Sequence, residues 1–386
     1  MAAFSFMGFR RPDGRVGVRN QVAIVSAMDN TNPSAARIGA MVAGTVVLST
    51  PFGRGQIGHD FDVTLRTLAG LASHPNIAAV LVLGLSLKAG EPLAARIAKT
   101  AKPVAVLGLQ DVGSATWLTA RGVQAAARLV ADASELQREP CDLCELVVAV
   151  ECGGSDTTSG LASNPAVGRF ADRLVDVGGT VILSEPAEFM GAEHLLAART
   201  VNAADARRID DMVRWFEDEA RRNGVDMRGT NPTADNIEGG LTTLEEKSLG
   251  AIAKGGTRPI VEVVEYAEAP SRKGLVVMNT PSAACESMTG LVAGGAQIIV
   301  FSTGRGNAIG APVAPTVKVT GNPHTAAGMA EHIDVDVSGI LSSGLGLDDA
   351  GELVWRQVGK VAGGKLTRCE ILYEQQLSVS RFGPSV

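Results

Sequence analysis

Near-continuous apolar runs alternate with segments of helical spacing along most of this chain, and this alternation limits its fold more than any other feature. The runs AAVLVLGL (78–85), PVAVLGL (103–109) and LVVAVEC (146–152) contain almost no polar positions, as expected of strands that are covered on both faces. Ahead of the first run, FDVTLRTLAGLASH (61–74) repeats leucine at helical spacing. The alternation predicts an α/β fold with mostly parallel sheets and helices on both faces.

The chain has 386 residues, more than one hydrophobic core usually supports, so more than one domain is expected. The strand pattern restarts after the charged stretch ASELQREPCDLCE (133–145), which is the best candidate for a boundary. We predict two Rossmann-like α/β units, an N-terminal domain over residues 1–140 and a C-terminal catalytic domain over residues 141–386. Strands are expected at 21–28, 45–50, 78–85, 103–109, 146–152, 180–185, 259–266, 274–279, 296–302 and 316–320, and helices at 33–44, 61–74 and 114–136.

Charge and composition exclude several classes of protein. The formal net charge is −6 and no basic stripe is visible, so nucleic acid is not expected as a partner. No apolar run approaches the roughly 18 residues of a membrane-spanning helix, and no cleavable signal precedes the first strand, so we expect a cytoplasmic protein without membrane contact. Five cysteines, an odd number, argue against a disulfide framework.

Six polar or glycine-rich loops follow the predicted strands. Ligands of parallel α/β sheets bind beyond the carboxyl ends of the strands, so we expect the functional residues in these loops. The loops are TPFGRGQIGHD (50–60), LSLKAGE (85–91), ECGGSDTTSG (151–160), SEPAEFMGAEH (184–194), NTPSAACESMTG (279–290) and STGRGNAIGAP (302–312).

The residues of ECGGSDTTSG leave several interpretations open. A phosphate-binding P-loop would need a lysine before its Ser or Thr, which this stretch lacks. Cys152 as a nucleophile would need a histidine partner, whereas Cys152 as a metal ligand would need carboxylates or imidazoles from another loop. The loop after the next strand offers Glu185, Glu188, Glu193 and His194. The structural alternative is a glycine turn in which Ser155 and Asp156 cap the following helix.

Several long segments resemble the large, catalytic part of the altronate and galactarate dehydratase family, which includes sulfo-lyase β subunits. The matching segments run in consistent order from about residue 8 to about residue 322. They are GFRRPDGRVGVRN (8–20), HPNIAAVLVLGL (74–85), ECGGSDTTSGLASNPAVGRF (151–170), SEPAEFMGAEHL (184–195), NPTADNIEGGLTTLEEKSLGAIAKGG (231–256), TPSAACESMTGLVAGGAQIIVFSTGRGNAIGAP (280–312) and TVKVTGN (316–322). The resemblance implies a lyase that performs β-elimination from a small 2-hydroxy acid to a 2-oxo acid. It also implies a divalent metal cofactor, with Fe²⁺ expected and Mn²⁺ or Mg²⁺ as alternatives.

Two loops depart from the sugar-acid dehydratases of this family. Where those enzymes usually carry His-Gly-Cys-x-Gln, this chain reads FGRGQ (52–56), and where they carry Gly-Cys-Glu, it reads GLSL (84–87). Two thiolates of the dehydratase type are therefore missing, which makes a sulfur-rich metal site doubtful. Arg54 supplies instead a planar donor fork suited to a carboxylate or sulfonate. These loops resemble the sulfo-lyase β subunits most closely.

The resemblance and the loop positions together assign expected roles. The expected catalytic residues are Cys152, Glu185, His194 and Arg305. The expected metal ligands are Cys152, Glu185 and Cys285. The expected substrate-binding residues are Arg54, His59, Gly153, Gly154, Ser155, Asp156 and Thr157. Each has a structural alternative: a core cysteine, a helix cap, a surface salt bridge or a surface loop. Cys141 and Cys144 form a lone C-x-x-C pair in a charged stretch, for which zinc binding is not expected.

Three functions remain open at this point. The first is a sulfolactate-type sulfo-lyase, the second a sugar-acid dehydratase with an altered metal site, and the third a non-catalytic binding paralogue. Full-length dehydratases of the family carry a small module ahead of the segment that begins here at residue 8. The resemblance therefore implies a separate small subunit, and an oligomer, that act on a small-molecule 2-hydroxy acid.

Overall fold

The structure, a computed structural model, describes residues 5–53, 55–383 and 385. Its strands are β1 (Ser5–Arg10), β2 (Val16–Gly17), β3 (Gln21–Ser26), β4 (Thr45–Leu48), β5 (Ile77–Gly84), β6 (Val104–Gly108), β7 (Glu139–Asp142), β8 (Val147–Cys152), β9 (Thr180–Leu183), β10 (Ile260–Val264), β11 (Leu275–Met278), β12 (Ile298–Ser302), β13 (Thr316–Thr320) and β14 (Val335–Asp336).

The α-helices are α1 (Asn32–Met41), α2 (Gly58–Ala72), α3 (Leu87–Ala98), α4 (Leu109–Val112), α5 (Ala115–Ser134), α6 (Asn164–Asp176), α7 (Glu193–Ala197), α8 (Ala203–Arg222), α9 (Met227–Thr230), α10 (Ala234–Glu238), α11 (Leu244–Ile252), α12 (Ala284–Ala293), α13 (Pro323–Gly328), α14 (Gly339–Ser342), α15 (Leu347–Ala362) and α16 (Arg368–Ile371). Short 3₁₀ helices lie at Asp29–Thr31, Leu143–Glu145, Pro186–Phe189 and Ala253–Gly255, and a π-helical turn lies at Ser159–Ser163. None of the helices in the described residues combines the length and the apolar character that crossing a membrane requires.

Two parallel sheets form the body of the molecule. The first has the strand order β4-β3-β5-β6, and the second has the order β10-β11-β9-β8-β12-β13-β14. Every pairing within these two sheets is parallel. Helices cover both faces of the first sheet, because α1 and α5 pack on one side and α2 and α3 on the other. The predicted α/β class is therefore confirmed.

A small antiparallel sheet joins the two ends of the N-terminal unit, and the sequence analysis did not predict it. Its order is β2-β1-β7, and β7 lies inside the charged stretch that was interpreted as a boundary. β1 and β7 pair in the register Phe6 with Cys141, and both of these side chains are buried. Three of the four β7 residues are exposed. The segment has too few apolar positions for its pattern to indicate a strand, and the pairing with β1 decides it.

The two large sheets share one hydrophobic core. Leu68 and Leu71 of α2 belong to the same buried cluster as Met288 and Leu291 of α12 and Phe301 of β12. Where the two helices meet, a Cβ atom at Gly70 would collide with the carbonyl oxygen of Ala293. α2 and α12 therefore lie between the sheets.

Candidate active site

Four buried side chains meet at the carboxyl ends of β8 and β9. Cys152 is the last residue of β8, and Glu185 follows β9 by two positions. Glu188 lies in the 3₁₀ helix Pro186–Phe189, and Lys254 lies in the 3₁₀ helix Ala253–Gly255 that follows α11. The fractional exposures are 2% for Cys152, 1% for Glu185, 6% for Glu188 and 0% for Lys254. We refer to these four residues as the Cys152 cluster.

The cluster is held together by charged and sulfur hydrogen bonds. The Cys152 thiol donates to Glu188 Oε2 over 3.1 Å and lies 3.8 Å from Glu185 Oε2. Lys254 Nζ lies 3.2 Å from Cys152 Sγ and 3.2 Å from Glu185 Oε2. It lies 3.8 Å from Glu188 Oε2. One ammonium group therefore contacts all three of the other side chains.

Two further ionisable residues, Lys247 and Glu151, adjoin the cluster. Lys247 Nζ lies 3.1 Å from Glu188 Oε1. The carboxylate of Glu151 accepts hydrogen bonds at Oε2 from Ser184, over 2.5 Å, and from Ser287, over 2.9 Å. Its second oxygen, Oε1, is buried and has no hydrogen-bond partner within the described part of the chain. Such an orphaned carboxylate oxygen is costly in a dry interior.

Burial and neighbouring charges separate the pKa values of the three carboxyl groups. Burial, with the nearby Glu151 and Glu188, raises the pKa of Glu185 well above its ordinary value. Burial also raises the pKa of Glu151, to about 7. At Glu188 burial opposes ionisation, but Lys247 and Lys254 outweigh it and lower the pKa. Glu185 thus keeps its proton to a higher pH than Glu188 does, and acid–base chemistry uses such a difference between two carboxyl groups.

The pKa values of Lys254 and Cys152 are both raised. Burial works against the charge of Lys254, but Cys152 and the carboxyl groups outweigh it and raise the pKa well above its ordinary value. Burial and then Glu188 raise the pKa of the Cys152 thiol well above its ordinary value. Lys254 is therefore an ammonium and Cys152 a thiol as the cluster stands.

The backbone at Glu185 adopts the left-handed conformation, with φ 69° and ψ 61°. For a residue with a Cβ this conformation costs about 1–3 kcal/mol and persists only where the surroundings enforce it. Here the Glu185 amide donates to Thr280 Oγ1 over 2.9 Å. The conformation turns the carboxyl group toward Cys152, and the backbone strain lies at the centre of the cluster.

Two cavities border the cluster. A cleft of about 710 Å³ lies between the two units and is lined by His59 of α2, Tyr266, Thr280, Glu286 and Phe382 among others. Thr280, which lines this cleft, accepts a hydrogen bond from the backbone amide of Glu185. A second cavity of about 360 Å³ is lined by Ser155, Asp156, Thr157 and Lys247. Lys247, which lines this cavity, forms an ion pair with Glu188. Each cavity is therefore separated from the cluster by a single residue, Thr280 or Lys247.

Two protein families together match nearly the whole chain. Residues 8–134 match the family described as D-galactarate dehydratase/Altronate hydrolase, second domain. Residues 143–385 match the family described as D-galactarate/Altronate dehydratase, C-terminal. The chain belongs to the D-galactarate/altronate dehydratase family.

Individual relatives narrow the activity class. This chain is 41% identical over 379 residues to the (2R)-sulfolactate sulfo-lyase subunit beta of Chromohalobacter salexigens. The match covers 98% of this chain and 97% of that protein. The chain is 33% identical over 396 residues to the altronate dehydratase of Bacillus subtilis, covering 98% of this chain and 78% of that protein. It is 34% identical over 313 residues to the galactarate dehydratase of Escherichia coli, covering 78% of this chain and 60% of that protein. Sulfo-lyases and dehydratases are both lyases, and this chain is a lyase.

The metal expected for a dehydratase-family enzyme can be tested against the residues present. One sulfur and two carboxylate oxygens, from Cys152, Glu185 and Glu188, lie within 4.8 Å of one another. This donor set fits a divalent transition metal better than Mg²⁺, because magnesium avoids sulfur ligands. These three residues could hold a metal ion. Cys285 is not among them, although it was predicted as a ligand, and Glu188 takes its place.

Other predicted site residues lie away from the Cys152 cluster. His194 is exposed on α7. Arg305 Nη1 contacts the Asp235 carbonyl over 2.9 Å and the Glu238 carboxylate over 2.8 Å, so its side chain holds α10. Cys285 lies half-buried in the first turn of α12, near the inter-unit cleft. Arg54 lies outside the described residues. Of the predicted catalytic residues, the structure brings Cys152 and Glu185 together but not His194 and Arg305.

The ECGGSDTTSG segment is largely a turn that closes on itself. Asp156 accepts hydrogen bonds from Thr158 and Ser159 at Oδ1 and from Asn322 at Oδ2. Thr157 Oγ1 donates to the Gly239 carbonyl. These contacts favour the capped-turn alternative for Asp156 and Thr157, while Ser155 lines the second cavity.

Both glycines of the segment are needed for close packing. A Cβ atom at Gly153 would lie 2.9 Å from the Phe301 ring. Gly154 has φ +66°, and its carbonyl accepts from the Arg305 amide over 2.8 Å. The glycines therefore bring the segment against the loop after β12, and Cys152 lies in the cluster ahead of them.

Lys254 and Glu151 were missed, although the sequence carries a signal for each. Both are charged residues in apolar surroundings, within AIAKGG and LVVAVEC. A charge in such a run is rarely buried without a partner. Glu188 was named with Glu185, Glu193 and His194 as a possible ligand beside Cys152, but it was not included in the expected ligand set. A search for charges within apolar runs would have identified both residues.

Proposed function

We propose that this chain is the catalytic subunit of a sulfo-lyase that eliminates sulfite from a small 2-hydroxy acid of the sulfolactate type. The observation that carries the proposal is the 41% identity to a sulfolactate sulfo-lyase subunit beta, extending over 98% of this chain and 97% of that protein. In this reaction the proton at C2 is removed, the C3–S bond breaks and sulfite departs with the bonding electrons. The enol that remains becomes the 2-oxo acid.

The cluster supplies groups for each of these steps. Glu188, which its two lysines keep ionised, is our candidate for the base that takes the C2 proton. Glu185, whose pKa is raised by burial, is our candidate for donating a proton to the developing product. Lys247, at the wall of the second cavity, would pair with the substrate carboxylate.

A divalent metal, Fe²⁺ in our proposal, would be held by the Cys152 thiolate and by one oxygen each of the Glu185 and Glu188 carboxylates. The second oxygen of each carboxylate would remain available for proton transfer. When bound, such an ion polarises the carboxylate and hydroxyl of a 2-hydroxy acid and stabilises the charge that develops on deprotonation. One sulfur and two oxygens favour iron over magnesium.

We also propose a small partner subunit. The relative from Chromohalobacter salexigens is named as a subunit beta, which implies at least one other subunit in that enzyme. Purified alone, the present chain is expected to be folded but nearly inactive, and the small subunit is expected to restore turnover. Full activity of the chain by itself would contradict this part of the proposal.

A sugar-acid dehydratase is the second candidate. The B. subtilis altronate dehydratase is 33% identical over 98% of this chain, and both matched families are described by dehydratase activity. Water is a poor leaving group and needs a general acid, a role that Glu185 could fill.

A screen of 2-hydroxy acids separates the two candidates. The chain, assembled with its small subunit, is incubated with sulfolactate, altronate and galactarate, and sulfite and 2-oxo acid are measured in parallel. Equal amounts of both products from sulfolactate are expected. Release of 2-oxo acid from a sugar acid, without sulfite, would replace the first candidate by the second. A Glu188→Gln variant serves as the matched control, because it keeps the shape of the cluster and removes the proposed base.

Arg54 stays a prediction for substrate binding. In the loop FGRGQ (52–56) its guanidinium would offer two parallel donors to a sulfonate or carboxylate. We expect Arg54→Ala to weaken substrate binding by about 1.5–3 kcal/mol, the range for a lost hydrogen bond to a charged group. An unchanged KM in the assembled enzyme would argue that Arg54 is a surface residue.

A further inference from the structure

The position of Lys254 raises a question about any metal at the cluster. Its Nζ atom lies 3.2 Å from Cys152 Sγ, 3.2 Å from Glu185 Oε2 and 3.8 Å from Glu188 Oε2. These are the three side chains that could hold a metal ion. The ammonium group thus already contacts all the atoms that a divalent cation would bind, and it does so in a fully buried position.

Charge balance in the buried cluster allows one cation at a time near these atoms. Two glutamates face two lysines there, Lys254 and Lys247. Buried charges are tolerated only when they are paired. A divalent ion bound about 2.0–2.3 Å from the same three atoms would lie against the Lys254 ammonium, which carries a like charge. The ammonium must therefore leave its present position before a metal can bind.

A second observation shows where the ammonium could go. Glu151 interacts electrostatically with Lys254. Its Oε1 atom is buried and has no hydrogen-bond partner among the described residues, whereas its Oε2 atom is bound by Ser184 and Ser287. Glu151 thus has an acceptor oxygen that no donor group of the described residues occupies and that interacts with the Glu185 carboxyl group, so it is placed to receive a displaced ammonium.

We propose that Lys254 and a divalent metal are alternative occupants of the Cys152 cluster, and that Glu151 receives the lysine when the metal enters. In this arrangement Lys254 holds Cys152, Glu185 and Glu188 together in the metal-free protein. It is a positioning residue that sets the affinity of the site for metal. The inference rests on the metal of the proposed function and not on the identity of the substrate.

Mn²⁺ binding to the purified chain tests the competition without any measurement of activity. Mn²⁺ is titrated into wild type, Lys254→Met and Lys102→Met, with binding followed by calorimetry and by the loss of the free Mn²⁺ EPR signal. Lys102 is a matched control, because it is another buried lysine but binds the Ser73 and His74 carbonyls. We expect Lys254→Met to bind Mn²⁺ at least about tenfold more tightly than wild type, with Lys102→Met unchanged.

Glu151→Gln tests the second half of the proposal and leaves the ammonium in place. It keeps an oxygen for the two serines but removes the acceptor for Lys254. We expect it to weaken Mn²⁺ binding about tenfold in the wild-type background and to have no effect in the Lys254→Met background. This difference between backgrounds isolates the coupling of the two residues. Should Lys254→Met fail to fold, Lys254→Gln, which also removes the charge, takes its place in the same comparison of backgrounds.

Equal or weaker Mn²⁺ binding by folded Lys254→Met would overturn the proposal, since the lysine would then not compete. So would an effect of Glu151→Gln that is the same in both backgrounds. Absence of Mn²⁺ binding in all variants would overturn both this inference and the proposed metal. Failure of the sulfolactate assay, by contrast, would overturn the proposed substrate and leave the competition standing.

Discussion

The Cys152 thiol donates to Glu188 and accepts from Lys254. Replacing it by serine keeps a donor and an acceptor at the same position but removes the sulfur. We expect Cys152→Ser to lower kcat by on the order of 10²-fold, the lower end of the effects of acid–base groups. The free energy of unfolding should change by only about 1 kcal/mol, because the hydrogen bonds can be remade. Steady-state kinetics of the assembled enzyme and urea unfolding give the two numbers.

Cys369→Ser is the control for this substitution. Cys369 is equally buried, but its sulfur contacts the backbone carbonyls of Ala308 and Ile309. Similar losses of kcat in both serine variants would show that the loss in Cys152→Ser comes from disturbed packing and not from a role of Cys152 in the reaction. Unchanged kcat and KM in Cys152→Ser would show that Cys152 only packs in the core.

At the scale of elements, the contact between α2 and α12 depends on Gly70. A Cβ atom there would collide with the Ala293 carbonyl at the end of α12. We expect Gly70→Ala to destabilise the protein by about 1–3 kcal/mol, as overpacking in a rigid contact does. Gly359→Ala in α15 is the matched control, since Gly359 is an exposed helical glycine with open space around it. That change should stabilise by up to about 1 kcal/mol, and thermal unfolding of both variants measures the difference.

Strand β13 carries another buried lysine, Lys318, whose titration predicts a pH dependence of stability. Lys318 Nζ has no hydrogen-bond partner in the described part of the chain and lies 3.5 Å from the centre of the Phe301 ring. Burial lowers the pKa of Lys318 from 10.5 to about 8. Nearby groups that oppose this lowering are Cys369, Asp334, Glu151 and Glu374. Burial is the largest of these influences, so the lysine loses its proton more easily when the protein is folded.

The sign of the effect follows from the number of protons bound. Between pH 8 and 10.5 the unfolded state keeps the Lys318 proton and the folded state releases it, so stability rises with pH in this window. Relative to Lys318→Met, wild type should gain about 2 kcal/mol in the free energy of unfolding from about pH 8 to about pH 10. Parallel pH profiles of the two proteins would contradict the prediction. Below about pH 7 both states hold the proton, and the difference between the proteins should be constant.

At the scale of the whole molecule, one asparagine connects three parts of the chain. Asn76 Oδ1 accepts from the Val18 amide over 2.8 Å, and its Nδ2 donates over 3.0 Å to the carbonyls of Gln297 and Val313. The Arg19 guanidinium adds a bridge of 2.6 Å to Glu370. These contacts and the shared core connect the two units.

We therefore expect a single unfolding transition for the entire chain, including for Asn76→Ala. This substitution leaves three buried backbone groups without their partner and should destabilise by about 3 kcal/mol or more. Asn223→Ala, at an exposed helix end where the side chain binds Glu219, should have a small effect. Calorimetry with fluorescence and circular dichroism as parallel probes measures the number of transitions. Two separate transitions in Asn76→Ala would show that the units fold independently.

Much of the fold was determined by local sequence patterns. The strand Thr316–Thr320 was predicted at its observed bounds, and the helix Ala115–Ser134 lies within the predicted 114–136. Apolar runs and helical spacing are properties of neighbouring residues, so they can be read without knowing the fold. The rule that ligands bind at the carboxyl ends of parallel strands also directed attention to Cys152 and Glu185, which the structure brings together.

The tertiary structure alone decided which other charges complete the site. Lys254 lies 102 positions from Cys152, and its role depends on full burial against two carboxyl groups. The order β10-β11-β9-β8-β12-β13-β14, which makes β8 and β9 neighbours, cannot be read from any local pattern. The pairing of β7 with β1 is another example, since the register of two distant segments decides it. Sequence patterns specify how each residue is exposed along its own element, whereas pKa values and metal affinity depend on through-space contacts that exist only after the chain has packed.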